Sequence, residues 1–149
     1  MIHSNRAALM IFSETHPAGV LSDLIELEPD EVFERRGLFL PGDEHSGRRT
    51  TSVWGVTTPV EARDDPIGYG ALEWIVNRFE GKGPILAQLA ADYDVDLSWW
   101  GQTDHWEKRV RIPASLMAKV ASLRCPFTLT FAPVDAKTGR YINDVDDIL

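Results

Sequence analysis

Two hydrophobic periods alternate along this chain, and most of the points where one gives way to the other fall on proline or glycine. Apolar residues at every second position argue for half-buried strands, and apolar residues at i, i+3 and i+4 argue for helices packed through one face. A chain that switches period repeatedly within 149 residues points to helices layered on a sheet. The length suits one ordinary domain. With 44% hydrophobic and 26% charged residues, the chain has enough apolar surface to form a core.

The first strand covers Asn5–Ser13, around the short apolar run Ala7–Phe12. A helix is expected next, capped by Thr15, with Pro17 in its first turn and Val20, Leu21, Leu24 and Ile25 on one stripe. Pro29 interrupts it, and Asp30–Arg35 reads as a further short turn stopped by Gly37. Residues 37–50 read as an irregular surface loop. Thr51–Thr58 is the second strand. Asp65-Pro66 opens a helix whose Leu72, Ile75, Val76 and Phe79 share a face; after Gly81 and Gly83 a further helical segment runs from Pro84 to Tyr93.

Val95–Trp100 alternates cleanly, with Val95, Leu97 and Trp99 on one face and Asp96, Ser98 and Trp100 on the other. Trp106–Ile112 is a weaker edge-strand candidate. Pro113 opens a helix with Leu116, Val120 and Leu123 inward, and Phe127, Leu129 and Phe131 alternate in a last strand over Pro126–Ala132. The expected architecture is an α+β two-layer sandwich: about four main strands in a mostly antiparallel or mixed sheet, with three helices on one face. Residues 1–133 form the expected single domain, and 134–149 a polar acidic tail.

Composition excludes several classes of function. Apolar runs fall far short of the ~20 residues of a membrane span. No basic n-region and cleavage site mark a signal peptide, and the single cysteine, Cys125, rules out an internal disulfide or a cysteine-rich zinc site. A reduced, cytoplasmic protein is expected. The formal net charge of −8 divides into −4 over residues 1–60, −5 over 61–100 and +1 over 101–149. Nucleic-acid binding needs a basic footprint. Here only Lys108, Arg109 and Arg111 and the pairs Arg35/Arg36 and Arg48/Arg49 are available. An acidic face that attracts a basic protein partner fits this charge better.

Several segments together resemble a bacterial domain of unknown function, family 4279. They are Leu24-Ile25-Glu26-Leu27-Glu28-Pro29, Gly37, the arginine pair before Ser52-Val53-Trp54, Leu72-Glu73-Trp74, Ile112-Pro113-Ala114-Ser115-Leu116 and the strand Phe127–Phe131. The similarity spans roughly residues 7–132. Glu26 stands where the family pattern has glycine. The resemblance implies a fold and no activity.

No motif specifies chemistry. Gly68-Tyr69-Gly70 lacks the third glycine and the Lys-Ser/Thr ending of a phosphate loop, and the tail carboxylates Asp144, Asp146 and Asp147 lack the glycine and distal glutamate of a calcium loop. No metal or cofactor is expected. His45 follows Asp43-Glu44 and His105 sits in Asp104-His105-Trp106-Glu107, so each imidazole has a carboxylate beside it. Cys125 reads as a small buried hydrophobe.

Tryptophan is the notable enrichment: Trp54, Trp74, Trp99, Trp100 and Trp106. Successive residues on a strand point to opposite faces, so Trp99 inside places Trp100 on the open face. An aromatic flanked by charge there suits recognition. The expected binding residues are therefore Trp100, Trp106, His105, Arg48, Arg49 and Trp54, serving a non-enzymatic module that holds a protein partner. The competing expectation is a small-molecule site or hydrolytic enzyme built from His45 and His105 with Arg48 and Arg49.

Overall fold

The apolar run Ala7–Phe12 becomes the centre of the sheet. In the computed structural model, which describes residues 2–59, 68–103 and 109–135, it lies in strand β1 (Ile2–Ser13). The sheet has five strands in the order β2-β3-β1-β4-β5, with β2 at Glu31–Phe33, β3 at Ser52–Thr57, β4 at Asp94–Thr103 and β5 at Phe127–Pro133. β3 and β4 run antiparallel to β1, β2 runs antiparallel to β3, and β5 runs parallel to β4. A parallel neighbour needs a crossover, which the chain between β4 and β5 supplies through a helix.

Among the described residues four helices form the second layer: α1 (Leu21–Ile25), α2 (Gly70–Arg78), α3 (Gly83–Leu89) and α4 (Ala114–Ser122). Their buried residues, among them Leu21, Ile25, Leu72, Ile75 and Leu86, meet Leu9, Ile11, Trp54, Leu97 and Trp99 of the sheet in one core. The architecture is the α+β two-layer sandwich expected from the alternating periods, with one more strand and one more helix. Among the described residues no helix is long and apolar enough to cross a membrane.

The differences have local causes. Thr15 and Pro17 do not start a helix, because Ser13 Oγ accepts the N–H groups of Thr15 and His16 at 3.2 and 2.9 Å and holds a turn there. The Glu34 carboxylate then accepts the N–H groups of Ala18 and Gly19 at 3.1 and 2.6 Å, and helix α1 begins only at Leu21. Asp30–Arg35 is not a turn: Glu31–Phe33 pairs with β3 as an edge strand. The expected helix start at Asp65-Pro66 lies outside the described residues, and α2 begins at Gly70. Of the expected edge strand at 106–112, residues 109–112 are irregular and the rest lie outside the described residues. Val134, the first residue of the expected tail, is buried, and its N–H donates to the Thr103 carbonyl at 2.8 Å.

Asn5 joins three parts of the chain. Its amide donates to the Gly68 carbonyl at 2.7 Å, and its carbonyl accepts the Trp99 indole N–H at 2.5 Å. Both groups are buried and both are paired, as burial of a primary amide requires.

Candidate functional site

Strand alternation sorts the sheet residues into two faces. In β1 the odd-numbered Asn5, Ala7, Leu9 and Ile11 have no exposed surface. The even-numbered residues belong to the opposite face, where Arg6, Met10 and Phe12 are half-buried and the small Ala8 is buried between them. The register extends this second face across the sheet in rows. Phe33, Val53, Phe12 and Asp94 form one row, and Glu31, Gly55, Met10 and Asp96 the next. Arg6, Trp100 and Thr130 form a row nearer the start of β1.

The Met10 side chain lies over Gly55, where a Cβ would fall 2.3 Å from the sulfur. A flexible thioether filling the space left by a missing side chain flattens the middle of this face. The result is an apolar band (Phe33, Val53, Phe12, Met10) beside the carboxylates of Glu31, Asp94 and Asp96.

Trp99 and Trp100 part as alternation requires. Trp99 is wholly buried against the helical layer and meets Phe131 edge-on, ring centroids 5.0 Å apart. Trp100 is half-buried on the open face, and the Arg6 guanidinium lies over its ring, 5.1 Å from the centroid. Arg6 Nε is buried and has no hydrogen-bond partner among the described residues. Beyond the indole, toward β5, a cavity of about 400 Å³ is lined by Ser98, Trp100, Gln102, Thr130 and Ala132. Its walls combine hydroxyl, amide and aromatic surface. No family model, no curated protein and no solved structure matches the chain.

The structure separates the remaining candidates. Trp54 is wholly buried on the helix face, where its indole N–H donates to Ser22 Oγ at 3.0 Å and its ring meets Phe79 edge-on at 6.3 Å. It is a core residue and offers no contact surface. Arg48 and Arg49 do not reach Trp100. Arg49 stacks on Phe33 at 3.7 Å and lies 5.2 Å from the Phe39 ring, and an Arg48 guanidinium N–H donates to the Arg36 carbonyl at 2.8 Å. The register shows why. Ser52, just after this pair, faces Ser13, whereas Trp100 faces Arg6. Seven residues of β1 separate those positions, about 23 Å along a strand.

The 37–50 segment is more ordered than its composition suggests. Leu38 and Arg48 form a β-bridge, and the Arg36 N–H and Arg49 carbonyl meet at 2.7 Å, closing the loop at its base. His45 sits at the exposed tip, in a single 3₁₀ turn over Glu44–Ser46, with its backbone N–H on Asp43. His105 and Trp106 lie outside the described residues. Among the described residues, no three His, Cys, Asp or Glu side chains gather to hold a metal ion.

One side-chain cluster escapes sequence reading. Thr15 Oγ1 is 2.9 Å from His16 Nδ1, His16 Nε2 is 3.8 Å from Asp92, and the His16 ring tilts against Tyr93 at 5.5 Å. The order Thr–His–Asp resembles a nucleophile relay. The imidazole and the carboxylate are 44% and 60% exposed, and the 3.8 Å spacing is too long for the hydrogen bond that orients a catalytic base. Tyr93 Oη donates to the Pro17 carbonyl at 2.7 Å, so the cluster fastens the 13–17 turn to the end of the helical layer. Asp92 lies 76 positions from His16, a separation that local motifs do not encode.

Proposed function

We propose that this chain is a non-enzymatic, cytoplasmic bacterial protein-binding module, holding a basic protein partner on its open sheet face. In this role it neutralises a basic toxin or regulator in the manner of an immunity protein. The observation that carries the reading is the open face itself. Half-buried Phe12, Met10 and Val53 lie there beside the carboxylates of Glu31, Asp94 and Asp96, and Trp100 lies on the same face four to six residues further along β4. An apolar centre with a charged margin gives a partner area to bury and a field to follow. The chain's net charge of −8 supports a cationic partner through steering at long range.

The test is affinity capture from the source cell with the intact protein and with Trp100→Ala. A specific partner retained by the first and lost by the second supports the assignment, and retention of every specific partner by Trp100→Ala defeats it. Turnover of a substrate by the purified protein, lost on His105→Ala, would overturn the non-enzymatic reading altogether.

A further inference from the structure

The second edge of the sheet carries a different surface. Among the described residues no strand pairs with the outer side of β5. The Leu97 N–H donates to the Pro126 carbonyl at 3.0 Å, and the Val134 N–H donates to Thr103 at 2.8 Å. With Leu97 opposite Phe127 and Thr103 opposite Pro133, the even-numbered residues of β5 bond inward to β4. Phe127, Leu129 and Phe131 therefore turn their N–H and C=O groups outward, while their side chains lie on the helix face.

Sheet edges are commonly guarded by charge, proline, a bulge or shortness, because an open ladder recruits other strands. β2, the opposite edge, is guarded: it has three residues and includes Glu31. β5 is not. Its seven residues carry no charge, its proline comes last, and Leu129 is 50% exposed. Beside it a groove of about 730 Å³ opens against residues 109–112, lined by Leu129 and Phe131 with buried Trp99 beneath them and flanked by Arg109 and Arg111. Both arginines are exposed, and neither has a carboxylate partner among the described residues. They belong to the basic cluster in the only segment of the chain with a positive sum.

We propose that this edge binds an extended acidic peptide segment of a partner protein by strand addition. Its backbone pairs with the outward groups of Leu129 and its odd-numbered neighbours. Side chains on one face of the added strand enter the groove, apolar ones against Leu129 and Phe131 and carboxylates at other positions of that same face against Arg109 and Arg111. A second copy of this chain fits less well, since β5 carries no carboxylate of its own to offer either pair of arginines. A nucleic-acid strand would leave the outward N–H and C=O groups unpaired. The surface is separate from the open face, so either assignment stands or falls without the other.

The probes are two fluorescein-labelled heptapeptides with threonine at the even positions, one with leucine and valine at the central odd positions and glutamate at the terminal odd ones, the other with lysine in place of glutamate. Binding to the full chain is followed by anisotropy. The acidic peptide is expected to bind at least about tenfold tighter than the basic one, and R109E/R111E to reverse that order. Leu129→Pro removes an outward N–H without touching the β4 ladder and is expected to weaken the acidic peptide by about tenfold or more. Trp100→Ala leaves this binding unchanged. The proposal is overturned by equal affinity for both peptides, by no binding of the acidic one, or by acidic-peptide binding that R109E/R111E leaves intact. Self-association through this edge in sedimentation, or preference for a short oligothymidylate, overturns it as well.

Discussion

The Arg6 guanidinium lies over the indole of Trp100, 5.1 Å from the ring centroid, on the sheet face opposite the helical layer. The two residues face each other across β1 and β4, so the contact is a cross-strand pair fixed by register. A cation held over an aromatic face at a partly exposed site contributes about 0.5–1 kcal/mol. A double-mutant cycle over Arg6→Ala and Trp100→Ala, read by chemical unfolding, should return a coupling of about that size. Trp54→Ala, by contrast, should cost about 3–5 kcal/mol, because that ring is wholly buried. Equal losses at the two tryptophans would contradict the assignment of one to the core and the other to the surface.

The placement of Trp99 and Trp100 was legible because alternation is a local property of a half-buried strand. The arginine pair was not. Arg49 settles on Phe33, 16 positions away, and no spacing rule announces a contact between a loop and an edge strand. The start of α1 departs from its sequence signal for a similar reason. Thr15 and Pro17 carry the composition of a helix entrance, but Ser13 Oγ captures two backbone N–H groups and Glu34 captures the next two. Side chain-to-backbone bonds of that kind compete with helix propensity and depend on a residue from another segment. β2 is three residues long, too short to show a period, and exists because β3 has an edge to fill.

Glu26 ends α1 in the left-handed region, at φ 59° and ψ 42°, with its N–H on the Ser22 carbonyl at 2.8 Å. This conformation costs an ordinary L-residue about 1–2 kcal/mol, and glycine avoids most of it. Glycine adds chain entropy to the unfolded state, about 0.5–1 kcal/mol in the opposite direction. The Lys82–Glu26 pair, 3.4 Å apart with the glutamate 81% exposed, adds little. Glu26→Gly should therefore stabilise the protein by about 0.5–1 kcal/mol and raise Tm by roughly 1–4 °C. Glu26→Ala, which keeps the strain, should not. A fall in Tm for the glycine variant would show that the strain is relieved in another way.

Gly83, at the start of α3, is required by contact rather than by backbone angle. A Cβ there would lie 2.0 Å from the Ser122 carbonyl oxygen and 3.1 Å from its carbon. Both atoms are backbone at the end of α4, so no side chain can swing away. Gly83→Ala should push α3 off α4 and cost about 1–3 kcal/mol. The control is Gly81→Ala: nothing stands within 4 Å of its Cβ, and its penalty comes from φ 79° alone. Unchanged unfolding midpoints for Gly83→Ala would mean that the two helix ends are free to separate.

Burial pushes the Cys125 thiol from its ordinary value near 9 up to about 11, with nearby Asp96 adding to the shift. At about pH 8 a thiol of that acidity is roughly one part thiolate in a thousand, against about one in ten for an unperturbed cysteine. Alkylation by iodoacetamide in the folded protein should thus run about a hundredfold slower than in the denatured chain, since only the thiolate attacks. The linked effect on stability has a definite sign. A folded-state value above the unfolded one means that the thiol's contribution is fully present below about pH 9. It is then lost as pH rises through about 11. Unfolding of the wild type and of Cys125→Ala, compared between about pH 8 and 11, should show the wild type losing stability faster at the alkaline end. Parallel profiles together with rapid alkylation of the folded protein would place the thiol in open solvent.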